Sequence, residues 1–230
     1  MNRLWIILIA FSLLFLLVPS FVGAAKEDPT SVRPDIIIDV GHGGIDGGTS
    51  VNGILEKDIN LAVGLKLFHQ LGKASYHVGI TRIDDCTLSD DSPFPKLSRH
   101  LRDLKQRKLI ADELNPKLFL SLHVNWSKNK ELRGPIVIYQ VKEESLHFAH
   151  TLQEHLNDFY GVKKYSMKGK PYYLMRYLQV PAVIVELGYL SNPKDFDILT
   201  GENTQDELVR AMVKAMDEYF FLYPDAENVE

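Results

Sequence analysis

The chain has 230 residues, enough for one sizeable domain and short for two. Apolar content of 45% and charged content of 24% are ordinary for a globular protein, and a net charge of −4 gives no general electrostatic reason to expect nucleic acid as a partner. Cys86 is the single cysteine, so an intrachain disulfide is excluded, and no cysteine-nucleophile signature surrounds it.

The N-terminus has the pattern of a targeting segment. Asn2-Arg3 is followed by an apolar run from Leu4 to Val18, broken only by Ser12. Val22 and Ala24 fit the small residues of a cleavage site, so residues 1–25 are expected to be a signal peptide. An uncleaved membrane anchor is the alternative, because a bilayer span needs about 20 mostly apolar residues. Both place the remainder outside the cytoplasm, secreted or anchored. Residues 26–34 are polar and contain prolines, as a linker does; the folded domain is expected over 35–223, with a frayed tail from Pro224.

Ile36 to Val40 is β-branched and too short for a helix, which predicts a buried strand. It runs into Gly41-His42-Gly43-Gly44-Ile45-Asp46-Gly47-Gly48, a loop of sharp turns around one histidine. A phosphate cradle is disfavoured there, since no Lys-Ser/Thr follows and Asp46 occupies the last glycine position of Gly-x-Gly-x-x-Gly. His42 is left as a metal ligand or as a plain turn histidine. Asn52-Gly53 marks a turn. Leu55, Ile59, Val63, Leu67 and Leu71 then form the stripe of an amphipathic helix, and Gly72 stops it. Glu56 falls in or before its first turn, where a carboxylate either complements the helix dipole or faces back toward His42.

Tyr76 to Arg82 predicts a second strand, 83–96 a surface loop, and Leu97 to Leu114 a helix closed by Pro116. Lys117 to Asn125 is the next strand, with His123 near its carboxyl end. Gly134 to Tyr139 is another strand, and Ser145 to Tyr160 a helix bearing Phe148, Leu152, Leu156 and Phe159. Residues 161–179 are basic and rich in tyrosine, without a clear periodicity; the part from Lys163 to Tyr177 suits either an anionic peptide stem or glycan, or equally an ordinary surface strand pair. Val180 to Leu187 is an apolar strand interrupted by Glu186. Ser191-Asn192-Pro193 is a turn signal. Thr204-x-x-Glu207 has the form of a capping box for a last helix with Leu208, Met212, Ala215, Met216 and Tyr219 inward. His147 and His150 with Glu143 and Glu154 mimic a helical metal site, but a solvated helix face is the favoured reading.

Alternating strands and helices predict a single α/β domain, with a mostly parallel sheet flanked by helices. Ligand sites in such sheets form outside the carboxyl ends of the strands. His42, His123 and Glu186 all belong to those ends. A lone carboxylate within an apolar strand is costly unless it has a partner such as a cation. Two histidines and a carboxylate make a typical catalytic zinc shell with a fourth position for water, whose pKa zinc lowers to about 7. A second carboxylate can shuttle the proton. His42, Glu56, His123 and Glu186 fill these roles, and spacing does not decide which glutamate binds the metal.

The chain resembles the zinc-dependent N-acetylmuramoyl-L-alanine amidases of type 3. The matching segments are Ile38-Asp39-Val40-Gly41-His42-Gly43-Gly44, Leu55-Glu56-Lys57, Leu104-Lys105-Gln106-Arg107, Ser121-Leu122-His123-Val124-Asn125 and Val185 to Asn192. Val40 replaces the proline usual before Gly-His, and Trp126 stands where a small residue is common. The resemblance implies one zinc ion on His42, Glu56 and His123, with Glu186 as catalytic acid/base. It implies cleavage of the amide between muramic acid and the L-alanine of the peptidoglycan stem. Asn125, Arg82 and Arg107 are candidate substrate contacts, the two arginines alternatively supporting the fold. The single catalytic domain most resembles the germination-specific amidases of spore formers, the CwlD type, which implies action on spore cortex. No wall-binding repeats are present, so a membrane-bound or lipoprotein partner is expected. A zinc carboxypeptidase or related amidohydrolase acting on wall peptides is the alternative, though its first His and Glu usually lie closer than 14 residues. A non-catalytic wall-binding module is the other.

Overall fold

The structure, a computed structural model, describes residues 33–224. The expected signal or anchor segment, most of the linker and the tail beyond Pro224 lie outside the described residues. Arg33 and Pro34, expected in the linker, already bond to the fold: Arg33 Nη2 donates to Pro116 O, and Pro34 O accepts from Lys117 N.

In chain order the strands are β1 (Ile36–Val40), β2 (Ser50–Val51), β3 (Ile54–Leu55), β4 (Val78–Ile80), β5 (Leu118–Asn125), β6 (Ile136–Tyr139), β7 (Met167–Lys168) and β8 (Ala182–Tyr189). The helices are α1 (Glu56–Lys73), α2 (Arg99–Leu114), α3 (Glu143–Tyr160), α4 (Tyr173–Tyr177), α5 (Pro193–Thr200) and α6 (Glu202–Leu222). Six strands form one sheet in the order β4-β1-β5-β8-β6-β7, while β2 and β3 make a hairpin turned by Asn52-Gly53. β4, β1, β5 and β8 are parallel; β6 meets β8 antiparallel. The sheet is therefore mostly parallel, as the alternation of elements predicts. Among the described residues no helix is long and apolar enough to cross a membrane.

Strand side chains alternate between two faces, and the two cores follow that period. Ile36, Ile38, Leu118, Leu120, Leu122, Val183 and Val185 join α1, α3 and α6 in the larger core. Ile37, Phe119, Ala182 and Ile184 face the other way, toward α2 and α4. The same alternation puts Asp39, Ser121, His123 and Glu186 on this second face. Near the carboxyl ends of the strands that face becomes polar, and His123 and Glu186 there are only partly buried.

One local expectation is corrected and two segments gain detail. The last helix begins at Glu202 after Gly201, so Thr204 does not cap it; its hydroxyl instead donates to the carbonyls of Ile198 and Gly201 in the preceding turn. Ser191-Asn192-Pro193 does more than turn the chain. Asn192 Oδ1 accepts from Lys194 N and Asp195 N, Pro193 supplies a pre-set first helical residue, and α5 follows. The segment 161–179 contains the short strand β7 and the helix α4.

Candidate metal centre

His42 sits just past β1 with φ 61°, a left-handed conformation unusual for histidine. The loop closes on itself: Gly43 N donates to Asp46 O and Asp46 N to Gly43 O, both at 3.0 Å. This brings the Asp46 carboxylate to 3.1 Å from His42 Nδ1 and leaves Nε2 free to face inward, 3.0 Å from Glu56 Oε1. His123 arrives from β5 with Nδ1 3.1 Å from the same oxygen. One ligand atom from each of His42, Glu56 and His123 lies within 4.8 Å of the others. A tetrahedral metal with bonds near 2.05 Å has ligand–ligand edges of about 3.3 Å; the two separations from Glu56 Oε1, 3.0 and 3.1 Å, are close to that edge, and the three groups could hold one ion.

Glu56 opens α1 and is 4% exposed. Its Oε1 accepts from Val124 N at 3.0 Å and its Oε2 from Thr49 N at 2.9 Å. The carboxylate thus faces the histidines rather than solvent beyond the helix end. Two glycines make the room. A Cβ on Gly41 would lie 2.6 Å from the His123 ring, and one on Gly48 2.5 Å from Glu56 Oε2.

Electrostatics bind the three groups together. Burial alone would lower the His42 pKa, but hydrogen bonding and charge from Glu56, then Asp46, outweigh it and raise it to about 9. For Glu56 burial pulls upward, and the two histidines overcome it and hold the carboxyl far below its ordinary range. Glu186 behaves in the opposite way. Burial pushes its carboxyl above the ordinary value, His123 opposes and Glu56 adds to the rise. Its Cα is the parallel-strand partner of His123, and no protein hydrogen bond or ion pair holds its carboxylate among the described residues.

A buried layer supports the loop from beneath. Asp39 is fully buried in β1 and accepts from Arg107, Ser121 Oγ (2.6 Å) and Thr81 Oγ1 (3.1 Å). Arg107 also donates to Val40 O and His42 O, and reaches Asp103 within its own helix. Burial opposes its charge, but Asp39 and Asp103 raise its pKa. Arg82 donates to the carbonyls of Val40, Gly41, Lys57 and Asp84. Lys57 clamps the loop from its other side, donating to Gly44 O at 2.7 Å and Asp85 at 2.6 Å.

His42, Glu56, His123 and Glu186 are therefore brought together as the chain order suggests. Arg82 and Arg107 are 3% and 2% exposed, with donors on loop carbonyls and, for Arg107, on two carboxylates, an arrangement that suits the fold-supporting alternative. Asn125 is half-buried at the end of β5, its Oδ1 accepting from Trp126 N. His147 is engaged by Tyr223 and Glu143, and His150 packs its ring edge on Tyr139. The roles of four residues escape a sequence reading: Asp46, Asp39 and the Lys57–Asp85 pair. The only available signals are the four-residue spacing of Asp46 from His42 and an acid inside the apolar run Ile36–Val40.

The α/β fold carries, at the carboxyl ends of its parallel strands, a two-histidine, one-carboxylate cluster that could hold a metal ion. A family model for N-acetylmuramoyl-L-alanine amidase matches residues 36–218, and the chain belongs to that family. It is an amidase of cell-wall peptidoglycan, and its reaction is hydrolysis of the bond between N-acetylmuramic acid and L-alanine. The carboxypeptidase alternative is set aside by this match. The chain is 30% identical over 223 residues to the uncharacterized protein YqiI of Bacillus subtilis, covering 96% of this chain and 99% of that one. It is 28% identical over 187 residues to the germination-specific N-acetylmuramoyl-L-alanine amidase of the same organism, covering 80% and 79% of the two chains. Among solved structures, the CwlD amidase of Clostridioides difficile, in complex with the GerS lipoprotein, superposes with a TM-score of 0.75 at 30% identity, covering 82% and 99%.

Proposed function

We propose that His42, Glu56 and His123 hold one zinc ion and that Glu186 is the acid/base of the amidase reaction. One observation carries this reading: two imidazole nitrogens and a carboxylate oxygen converge beside a second carboxylate that has no hydrogen-bond or ion-pair partner among the described residues. The mixed nitrogen–oxygen donor set suits zinc better than calcium or magnesium, which favour oxygen alone. When bound, zinc supplies Lewis acidity and lowers the pKa of a coordinated water to about 7.

The chain's own residues do the rest. Asp46 fixes the His42 tautomer through Nδ1, so that Nε2 faces the site. Glu186 accepts a proton from the attacking water as its oxygen adds to the lactyl carbonyl carbon. It then donates that proton to the alanine nitrogen as the C–N bond breaks, and the second water proton passes from the new carboxyl group to the amine, leaving a lactyl carboxylate and a stem with a free, protonated N-terminus. A carboxyl with a raised pKa is a stronger base before the transfer, and its conjugate acid still suffices for the leaving amine. Asn125, half-buried two residues beyond His123, is retained as a substrate contact.

The likeness to a germination-specific amidase and to CwlD supports a role on spore cortex, outside the cytoplasm, in a secreted or N-terminally anchored protein. CwlD's complex with GerS supports a membrane-bound or lipoprotein partner here too. The test is to incubate the protein with muramoyl peptides before and after chelation, then with zinc restored, and to weigh the products. Intact stems with free N-terminal L-alanine, lost on chelation and regained with zinc, are expected. Undiminished release in chelator would overturn the zinc assignment. Affinity capture from sporulating cells is expected to recover a stoichiometric envelope partner; none, with full activity of the isolated protein, would overturn that part.

A further inference from the structure

A second cationic site lies on the same face of the sheet, toward the other end of β8. It is a cavity of about 530 Å³ lined by Lys142, Lys170 and Arg176 over the apolar floor of Met175 and Leu178, with no acidic residue in its wall. Gln140 N bonds to Ala182 O, which fixes the cavity at the start of β8. Lys170 and Arg176 are exposed and have no carboxylate partner among the described residues; Arg176 lies over the Tyr177 ring. They belong to the stretch 161–179, which has five basic residues and no acidic one in a chain of net charge −4. Such segregation favours an anionic ligand.

Distance connects this cavity to the metal centre. Ala182 and Glu186 are four residues apart on β8, about 13 Å at ~3.3 Å per residue. Four extended peptide residues span about 13–14 Å. Between the two ends lies α4, packed against β8, and Tyr172 at its start is 42% exposed. The Glu186 charge adds to burial in raising the Tyr172 hydroxyl pKa, which agrees with a side chain reaching toward the site.

We propose that the Lys142–Lys170–Arg176 pocket binds the C-terminal carboxylate of the stem peptide whose N-terminal amide is cleaved at Glu186, so that the enzyme measures stem length. The inference rests on the amidase reading. Its ligand follows from the reaction: the leaving group is a peptide, which ends in a carboxylate. Arginine and lysine paired with a carboxylate provide charge-assisted bonds, and the aromatic surface of α4 supplies contact along the way.

The test uses the whole chain loaded with zinc, and muramoyl peptides of one to five residues with free or amidated C-termini. For the wild type, kcat/KM is expected to rise as the stem reaches four residues, with KM about tenfold lower for the free carboxylate than for the amide. K170Q/R176Q changes two exposed side chains; it is expected to erase both preferences and leave the rate on muramoyl-L-alanine unchanged. Indifference of the wild type to length and amidation would overturn the proposal, as would a variant that slows every length alike. Calorimetric binding of the free tetrapeptide, with and without its C-terminal carboxylate, separates this pocket from the chemistry. Carboxylate-dependent binding lost in K170Q/R176Q, without cleavage of any substrate, would sustain the pocket and sink the amidase reading. Cleavage together with carboxylate-blind binding would do the reverse.

Discussion

His123 and Glu186 are direct neighbours across the parallel pair β5–β8, with their Cα atoms in register and their side chains on the same face of the sheet. One belongs to the cluster that could hold a metal ion and the other has no protein hydrogen bond or ion pair among the described residues, so the sheet itself sets the spacing between the proposed ligand and the proposed base. Just beyond them the register shifts between His123 and Asn125, and Asn125 O accepts from Leu190 N as the strands end. A site built on two central strands is stiffer than one built on loops.

From that pairing, Glu186→Gln is expected to retain zinc and lose turnover by about 10²–10⁴-fold, the range for removing one acid/base group. Metal content by mass spectrometry and rates on muramoyl peptides check it. Loss of zinc in this variant would assign Glu186 to the metal instead.

Asp46 touches His42 Nδ1 and lies outside the cluster proposed to hold the metal, so its effect on zinc is expected to pass through His42. Asp46→Ala leaves the imidazole without the partner that fixes its tautomer, and zinc affinity is expected to fall about 10- to 100-fold. Competition with a chromophoric chelator measures it. With zinc in excess, much of the activity should return, because no ligand has been removed. Persistent inactivity at saturating zinc would place Asp46 in the reaction itself.

The contrast between Asp46 and His123 explains what a sequence discloses. β1, β5 and β8 are legible because short apolar runs fit buried strands, and His42, His123 and Glu186 stand out as polar groups at their ends. Asp46 acquires its role from the Gly43–Asp46 bridge, a closure that no periodicity announces. Arg107 lies on the stripe of α2 with Leu104 and Ala111, a place that marks it as inward-facing, but its partner Asp39 is 68 residues away. The helix α5 hides behind residues that serve equally as turn formers and as a cap. Val40, in the place of the family's usual proline, keeps an N–H that donates to Thr81 Oγ1, so the β1 exit is held by a hydrogen bond instead of a fixed φ.

The Asp39–Arg107 pair is buried on both sides, and removing one partner strands the other charge. Arg107→Met is expected to destabilise the fold by about 3–5 kcal/mol, whereas the double variant Asp39→Asn/Arg107→Met should recover part of that loss. Urea unfolding of the chelated protein measures both. Because Arg107 also holds His42 O, the single variant should weaken zinc binding as well. A single variant as stable as wild type would deny the pair its supporting role.

In the chelated protein, His42 and Glu56 make stability depend on pH with a definite sign. The folded His42 pKa, about 9, lies above its ordinary value of 6.5, so the folded state binds the proton more tightly. Its contribution is full below pH 6.5 and is lost as pH rises through about 9. Glu56 is shifted downward, so its contribution is present above the ordinary carboxylate value of 4.5 and fades only as pH falls well below it. The two windows overlap between pH 4.5 and 6.5, where the margin over His42→Gln is expected to be greatest. Between pH 6.5 and 9 the margin should shrink steadily in chelator. Zinc competes with that same proton, so the loaded protein should gain stability over the same rise in pH. Thermal midpoints of wild type and His42→Gln, recorded with chelator and with zinc across this range, check both slopes. A chelated wild type whose margin stays constant would mean that Glu56 and Asp46 do not hold His42 protonated.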